Sequence, residues 1–222
     1  MMFAAGFGTR MGNLTATRPK PLLKVAGTPL IDHTLNMVRA VNPLRIVVNT
    51  HYLADQIEHH LKDQNIDLSP ELPDVLETGG GLKHALPLLG AGPVYTTNTD
   101  AIWAGPNPFS LALEHWDPDR MDALAVCISP ENTVGHTGAG DFVLGSDGTI
   151  RRGPGLIYGG IQILKTEGLN DISDKVFSLN RLWDHMIRDR RFFGVAYPGK
   201  WCDVGSPQGI EQAETLLKAH HV

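Results

Sequence analysis

The chain has little of what marks nucleic-acid-binding, disulfide-stapled or membrane proteins. It lacks a basic excess: 24 Asp and Glu stand against 19 Lys and Arg, a formal net charge of −5. No overall positive field gathers polyanions, so nucleic acid is not an expected partner. Only two cysteines occur, Cys127 inside an apolar run and Cys202 beside Trp201, and no Cys/His spacing matches a zinc site. A reducing cytoplasm is the expected location. No apolar run approaches the roughly 18 residues of a membrane-spanning helix, and Met1 to Gly6 is too short for a secretory signal. A membrane partner is not expected. Repeats, low-complexity segments and linkers are also missing, which leaves residues 1–222 as one expected domain around one core.

What the chain does have is an alternation of apolar and amphipathic runs. "MMFAA", "RIVVNT", "IDLS", "PVYTTNTD" and "ALAVCIS" read as strands, while "PLIDHTLNMVRAV", "YLADQIEHHL", "LKHALPLL" and "PFSLALEHW" read as helices. Ile31, Leu35, Val38 and Val41 recur at helical spacing in the first helix, and Leu53, Ile57 and Leu61 in the second. Strands joined by helices predict an α/β fold, a Rossmann-like and mostly parallel sheet flanked by helices. In the second half, "DFVLGSDGTIRR" predicts a hairpin turning at Asp147-Gly148, and "LIYGGIQIL" a strand interrupted by two glycines. Antiparallel strands therefore join a mixed sheet. Leu179, Leu182, Trp183, Met186 and Ile187 share one helical face and are read as core. "FFGVAYPGKWCDVG" gives two short strands around Pro198-Gly199, and a last helix starts from Ser206 as N-cap with Pro207 behind it. Ile210, Ala213 and Leu217 form its inner stripe. His51, His59, His60, His220 and His221 show no spacing to an acidic partner and receive no role.

The stretch "FAAGFGTRMGNLTATRPKPL" breaks this regularity. A glycine-rich turn after a strand lets main-chain N–H groups approach an anion, and phosphate is the natural guest. The Walker pattern GxxxxGK[ST] is absent, and GxGxxG is met only nominally by Gly6, Gly8 and Gly12. A nicotinamide-dependent oxidoreductase also lacks its ribose-binding acid, because "RIVVNT" ends in Asn49 and Thr50. Arg10 and Lys20 stand on opposite arms of the loop and can converge on one set of phosphates, with Pro19 and Pro21 restricting where Lys20 points. Arg10 offers a planar fork of donors suited to the departing β- and γ-phosphates. Lys20 is a compact charge suited to the α-phosphate or to an incoming phosphate.

"AAGFGTRM" followed by "TRPKPLLKVAGTPLI" resembles the opening of the sugar-phosphate nucleotidyltransferases, a GxGTR loop and then a PKP segment. "LETGGGLKHALPLL", "TNTDAIW" and "WCDVGSPQGIEQAE" follow in the family's order, so the resemblance covers nearly the whole chain. The branch it is most similar to is that of the short bacterial N-acetylmuramic acid 1-phosphate uridylyltransferases. The resemblance implies a nucleotide-diphospho-sugar transferase fold and an enzyme that joins a sugar 1-phosphate to a nucleoside triphosphate with release of pyrophosphate. Mannose 1-phosphate guanylyltransferases and glucose 1-phosphate uridylyl- or thymidylyltransferases share these core motifs. A catalytically silent nucleotide-sugar sensor on the same scaffold is the rival of another class. All four of Arg10, Lys20, Asp100 and Asp203 are present, which favours the enzyme.

The remaining site residues follow from the same match. Asp100 closes the strand "VYTTNT" at the end where ligands bind in open α/β sheets, and Asp203 stands in "WCDVG". Either aspartate alone serves equally well as a cap or a surface residue, but together they occupy the positions of the family's two metal-binding aspartates, which implies magnesium. This chain has "NTD" where the family more commonly has NGD, so Thr99 adds a Cβ near the substrate channel. Glu77, Thr78 and Gly79 match the base-contacting segment, with Ala5 and Gly6 opposite and the backbone of Gly6, Gly8 and Thr9 left for the triphosphate. Residue types do not separate uracil from thymine or guanine; uridine, and hence UTP, is implied by the branch alone. For the sugar, Gly138, Gly140, Tyr158, Gly159 and Gly160 are candidates, since glycines in a strand mark close approach or a bulge. Arg151 or Arg152 offers a partner for a substrate carboxylate such as a muramic lactyl ether.

Overall fold

The computed structural model describes residues 1–220, so the expectation for His221 lies outside the described residues. Seven strands form the main sheet in the order 192–196, 123–128, 157–164, 94–98, 2–3, 47–50 and 67–70. Strand Ile157–Leu164 runs antiparallel to both neighbours, while the other pairings are parallel. A mixed, mostly parallel sheet results. The run Ala123–Ile128 shows why such strands carry no polar alternation. Ala123, Ala125 and Cys127 enter one core cluster and Leu124, Val126 and Ile128 the other, because successive side chains leave opposite faces and both faces are covered.

Helices Leu30–Arg39, Ala54–Leu61 and Pro108–His115 cover one face through Ile31, Leu35, Ile57, Leu61 and Phe109. Helices Glu77–Leu89 and Asn180–Arg188 cover the other through Leu82, Ala85, Leu182, Trp183 and Met186. Burying each of these large side chains contributes about 1.5–3 kcal/mol. The last helix, Pro207–His220, starts as expected, with Ser206 Oγ accepting from Gly209 N–H at 3.3 Å. The hairpin of Phe142–Leu144 with Ile150–Arg152 also forms, closed by the Gly145 N–H to Thr149 carbonyl bond of 2.8 Å.

Several local expectations need correction. Leu53 precedes its helix in a left-handed conformation (φ 49°), so only Ile57 and Leu61 form the inner stripe. His60 does have an acidic partner: its Nε2 lies 2.8 Å from Asp32 Oδ1. The glycine run is not a loop before a helix but part of one, since Glu77–Leu89 includes Gly79, Gly80 and Gly81. The segment Ala101–Ala104, read as part of a motif only, is a strand of a second sheet, between which and Thr133–Val134 lies Lys200–Asp203. Among the described residues no helix is long and apolar enough to cross a membrane.

Candidate active site

The parallel strands 2–3, 47–50, 67–70 and 94–98 end on one edge of the sheet, and the chain leaving each of them lines one cavity of about 340 Å³. Ala4 and Ala5, Asn49, Glu71, and Thr99 and Asp100 come from these four ends. This is the edge where open α/β sheets place ligands. Ala5, Gly6, Gly8, Thr9, Arg10, Lys20, Glu77, Thr78 and Asp100, named from the sequence, share its wall.

The glycine-rich turn is shaped by its own residues. Gly8 has φ 64°, and a Cβ there would lie 2.9 Å from Lys20 Cβ, so glycine both permits the turn and lets the second arm pack against the first. Thr15 Oγ donates to the Gly8 carbonyl at 3.1 Å, and Tyr52 Oη to the Thr15 carbonyl at 2.8 Å, which ties the loop to the start of helix Ala54–Leu61. Between Pro19 and Pro21, Lys20 is buried and its Nζ reaches Asp100 Oδ2 at 2.6 Å. Arg10 is mostly solvent-exposed, with Nη1 4.0 Å from Asp203 Oδ2. At Gly205 a Cβ would stand 2.8 Å from Asp203 Oδ2 and 3.0 Å from Arg10 Nη1, so that glycine leaves room for the pair.

Strand register brings the two aspartates together. Ala101–Ala104 pairs antiparallel with Lys200–Asp203, Asp203 facing Ala101, and Val204 N–H donates to the Asp100 carbonyl at 2.9 Å. Burial first, and the Asp100 charge second, push the Asp203 carboxyl above the ordinary range, while Lys20, Arg10 and His136 pull it back. Thr99 lines the cavity, and its hydroxyl donates to the Phe3 carbonyl at 2.8 Å.

Thr78, within the wall, also ties its helix to the start of helix Asn180–Arg188 through its Oγ, which accepts from Leu179 N–H at 3.0 Å. The remaining candidates lie elsewhere. Gly79 faces Phe177, whose carbonyl oxygen would be 2.8 Å from an added Cβ, and takes no part in the cavity wall. The Tyr158 ring packs edge-on to Trp183, 5.0 Å between centres, on the opposite core. Gly138, Gly140, Gly159 and Gly160 are also outside the wall. An added Cβ would meet His136 Nε2 at 2.6 Å, the Gly155 carbonyl carbon at 2.7 Å, Trp103 Cζ2 at 3.0 Å and Asn98 Nδ2 at 3.0 Å respectively. Arg152 is taken, with Nε 2.7 Å from Asp184 Oδ1 and its guanidinium 6.0 Å from the centres of Phe142 and Trp183, and Arg151 lines a separate cavity with Asp147 and Arg190. Glu71, unassigned from the sequence, and Asn49, noted there only as a non-acid, are both buried in the wall. The only signal for Glu71 is an acidic residue directly after a strand end.

A mixed α/β sheet with a glycine-rich loop, two cations and two carboxylates at its carboxyl edge has the fold of the nucleotide-diphospho-sugar transferases. The solved CTP:phosphocholine cytidylyltransferase from Streptococcus pneumoniae superposes with a TM-score of 0.72 at 20% identity, covering 97% of each chain. The family described as MobA-like NTP transferase domain matches residues 1–143, and the chain belongs to it. Over 98% of its length the chain is 44% identical to an N-acetylmuramate alpha-1-phosphate uridylyltransferase of Caulobacter vibrioides, covering 96% of that protein. A protein of the same name from Neisseria meningitidis is 35% identical, with 99% of this chain and 98% of that one covered.

Proposed function

We propose that the protein transfers a uridylyl group from UTP to N-acetylmuramic acid 1-phosphate, giving the nucleotide-sugar and pyrophosphate. The observation that carries nucleotidyl transfer is the convergence of Arg10, Lys20, Asp100 and Asp203 beside the glycine-rich loop; the choice of uridine and muramic sugar is supported by the two relatives of that name. A phosphate oxygen of the sugar 1-phosphate attacks the α-phosphorus, a new P–O bond forms, and the bond to the β-phosphate breaks with its electron pair leaving on pyrophosphate. Two anions must meet for this. At an effective dielectric of about 20, unit charges about 4 Å apart repel by roughly 4 kcal/mol, so the task of the site is neutralisation and in-line placement.

Lys20, held by its prolines and by Asp100, places a fixed positive charge at the meeting point of the two phosphates. Arg10, exposed on its loop, is free to fold over the departing pyrophosphate. Asp100 and Asp203 fit magnesium: they are hard-oxygen donors on neighbouring chain segments, close enough that the Asp100 charge adds to burial in raising the Asp203 carboxyl. Among the described residues no third His, Cys, Asp or Glu completes a protein cage, which suits a cation that shares its shell with substrate phosphates. When bound there, magnesium supplies further charge neutralisation on those phosphates. Ala5 and Gly6 on one side and Glu77 and Thr78 on the other hold the base, and the sugar extends past Asn98 and Thr99 in the same wall.

The test is pyrophosphate release with magnesium across UTP, dTTP, GTP, CTP and ATP against muramic, N-acetylglucosamine, glucose and mannose 1-phosphates. Release confined to UTP with the muramic sugar is expected. A preference for another pair corrects the substrates, and silence from folded protein favours the sensor.

A further inference from the structure

Glu71 is 1% exposed, directly follows the strand Asp67–Pro70, and has no part in the chemistry above. Its carboxylate is the middle of a hydrogen-bonded chain across the cavity floor. Oε2 accepts from Leu76 N–H at 2.7 Å, Oε1 accepts from Asn49 Nδ2 at 2.6 Å, and Asn49 Oδ1 accepts from Ala4 N–H at 2.7 Å. The two ends belong to the opposite walls of the base slot, Ala4 leading into Ala5 and Gly6, Leu76 into Glu77 and Thr78. Gly81 leaves the space that this carboxylate fills, since an added Cβ would press on Glu71 Oε1.

The polarity of this chain is fixed by its ends. Both are main-chain N–H donors, so the two side chains between them must accept at both outer contacts and still donate once between themselves. One carboxylate and one amide satisfy this; two amides do not. Glu71→Gln leaves size unchanged yet sets an NH₂ against an N–H or against another NH₂ somewhere along the chain. Burial makes such a mismatch costly.

We propose that Glu71 and Asn49 are positioning residues which fix the width of the base slot and so favour a pyrimidine nucleotide over a purine one. The inference rests on the nucleotidyl-transfer reading. It also specifies its own rescue. In the Asn49→Asp, Glu71→Gln double variant, the carboxylate now at position 49 accepts from Ala4 N–H and from the amide now at position 71, whose oxygen accepts from Leu76 N–H. All three bonds return with the charge moved one residue along the relay.

The experiment is calorimetric titration of the full chain with UTP and with GTP, magnesium present and sugar phosphate absent, alongside thermal unfolding of each variant. Glu71→Gln is expected to weaken UTP binding by about tenfold or more and GTP binding by less. The double variant is expected to return UTP affinity to within about threefold of wild type, and it carries the test alone if the single variant does not fold. Unchanged UTP affinity in Glu71→Gln, a loss of melting temperature without a change in affinity, or a folded double variant that binds no better than the single one overturns the relay. Wild-type protein that binds neither nucleotide overturns the nucleotidyl-transfer reading, and the relay with it.

Discussion

Replacing Gly80 with alanine separates local propensity from tertiary fit, because the two predict opposite signs. Within a helix interior, alanine is favoured over glycine by about 0.5–1 kcal/mol. The structure reverses this. Gly80 lies inside helix Glu77–Leu89, and an added Cβ would press into the carbonyl oxygen of Lys175, with the carbonyl carbon at 3.3 Å and Leu76 Cβ at 3.1 Å. The obstacle is main chain, held in place by Gly80 N–H donating to the Phe177 carbonyl at 3.0 Å, so no rotamer change relieves it. Overpacking of this kind costs about 1–3 kcal/mol. Because the obstacle is main chain, the cost falls in the upper half of that range, about 2–3 kcal/mol, and against the propensity gain a net loss of about 1–2.5 kcal/mol remains, which for a chain of this size lowers the melting temperature by about 2–10 °C. Calorimetric or circular-dichroism melts at neutral pH read this directly. An unchanged or raised melting temperature would refute the packing argument and leave only propensity. Because Glu77 and Thr78 ride on the same helix start, a rise in the Michaelis constant for the nucleotide should accompany the loss.

Arg10→Ala is expected to lower turnover by at least tenfold, and Lys62→Ala to stay close to wild type, since Lys62 is an exposed helix-end residue outside the cavity; equal effects on pyrophosphate release remove Arg10 from the mechanism. Asp100→Ala and Asp203→Ala should each abolish magnesium-dependent turnover while the far-ultraviolet spectrum stays native, and near-wild-type rates from both remove the metal assignment. Asp147 gives a pH signature. Hydrogen bonds from Thr149, and then the Arg190 charge, hold its carboxyl below the usual range. Folded protein therefore binds this proton more weakly than unfolded protein, and the stability this contributes is complete above the unfolded value of about 3.9 and fades as pH falls through the lower folded value. The melting difference between wild type and Asp147→Ala should accordingly shrink below about pH 4, and a difference that grows there contradicts the assignment.

How far the sequence can be read depends on whether the signal is local. The capped helix at Ser206 and the hairpin at Asp147-Gly148 depend on neighbours within a few positions, and both form where expected. The strand Ala101–Ala104 escapes detection because four apolar residues buried on both faces have no period. Gly79 to Gly81 suggest a base-facing loop because three glycines argue against helix. Their real partners, Phe177, Lys175 and Glu71, are as distant as a hundred positions along the chain, and their fit overrides propensity. The Tyr158 ring misleads for a similar reason: composition does not say which face of an irregular strand turns toward Trp183.

The pairing of Ala101–Ala104 with Lys200–Asp203 also sets a timetable for the ribosome. When Asp100 emerges, the glycine-rich loop, Arg10 and Lys20 have already been made, but the strand that delivers Asp203 is roughly a hundred residues behind, about 5–20 s at ordinary rates of synthesis. During that interval a nascent chain holds the cationic half of the site without the second carboxylate. On the proposed reading, competence for chemistry is then switched on late, when that strand pairs into register and seats Trp201 in the core beneath the seven-stranded sheet.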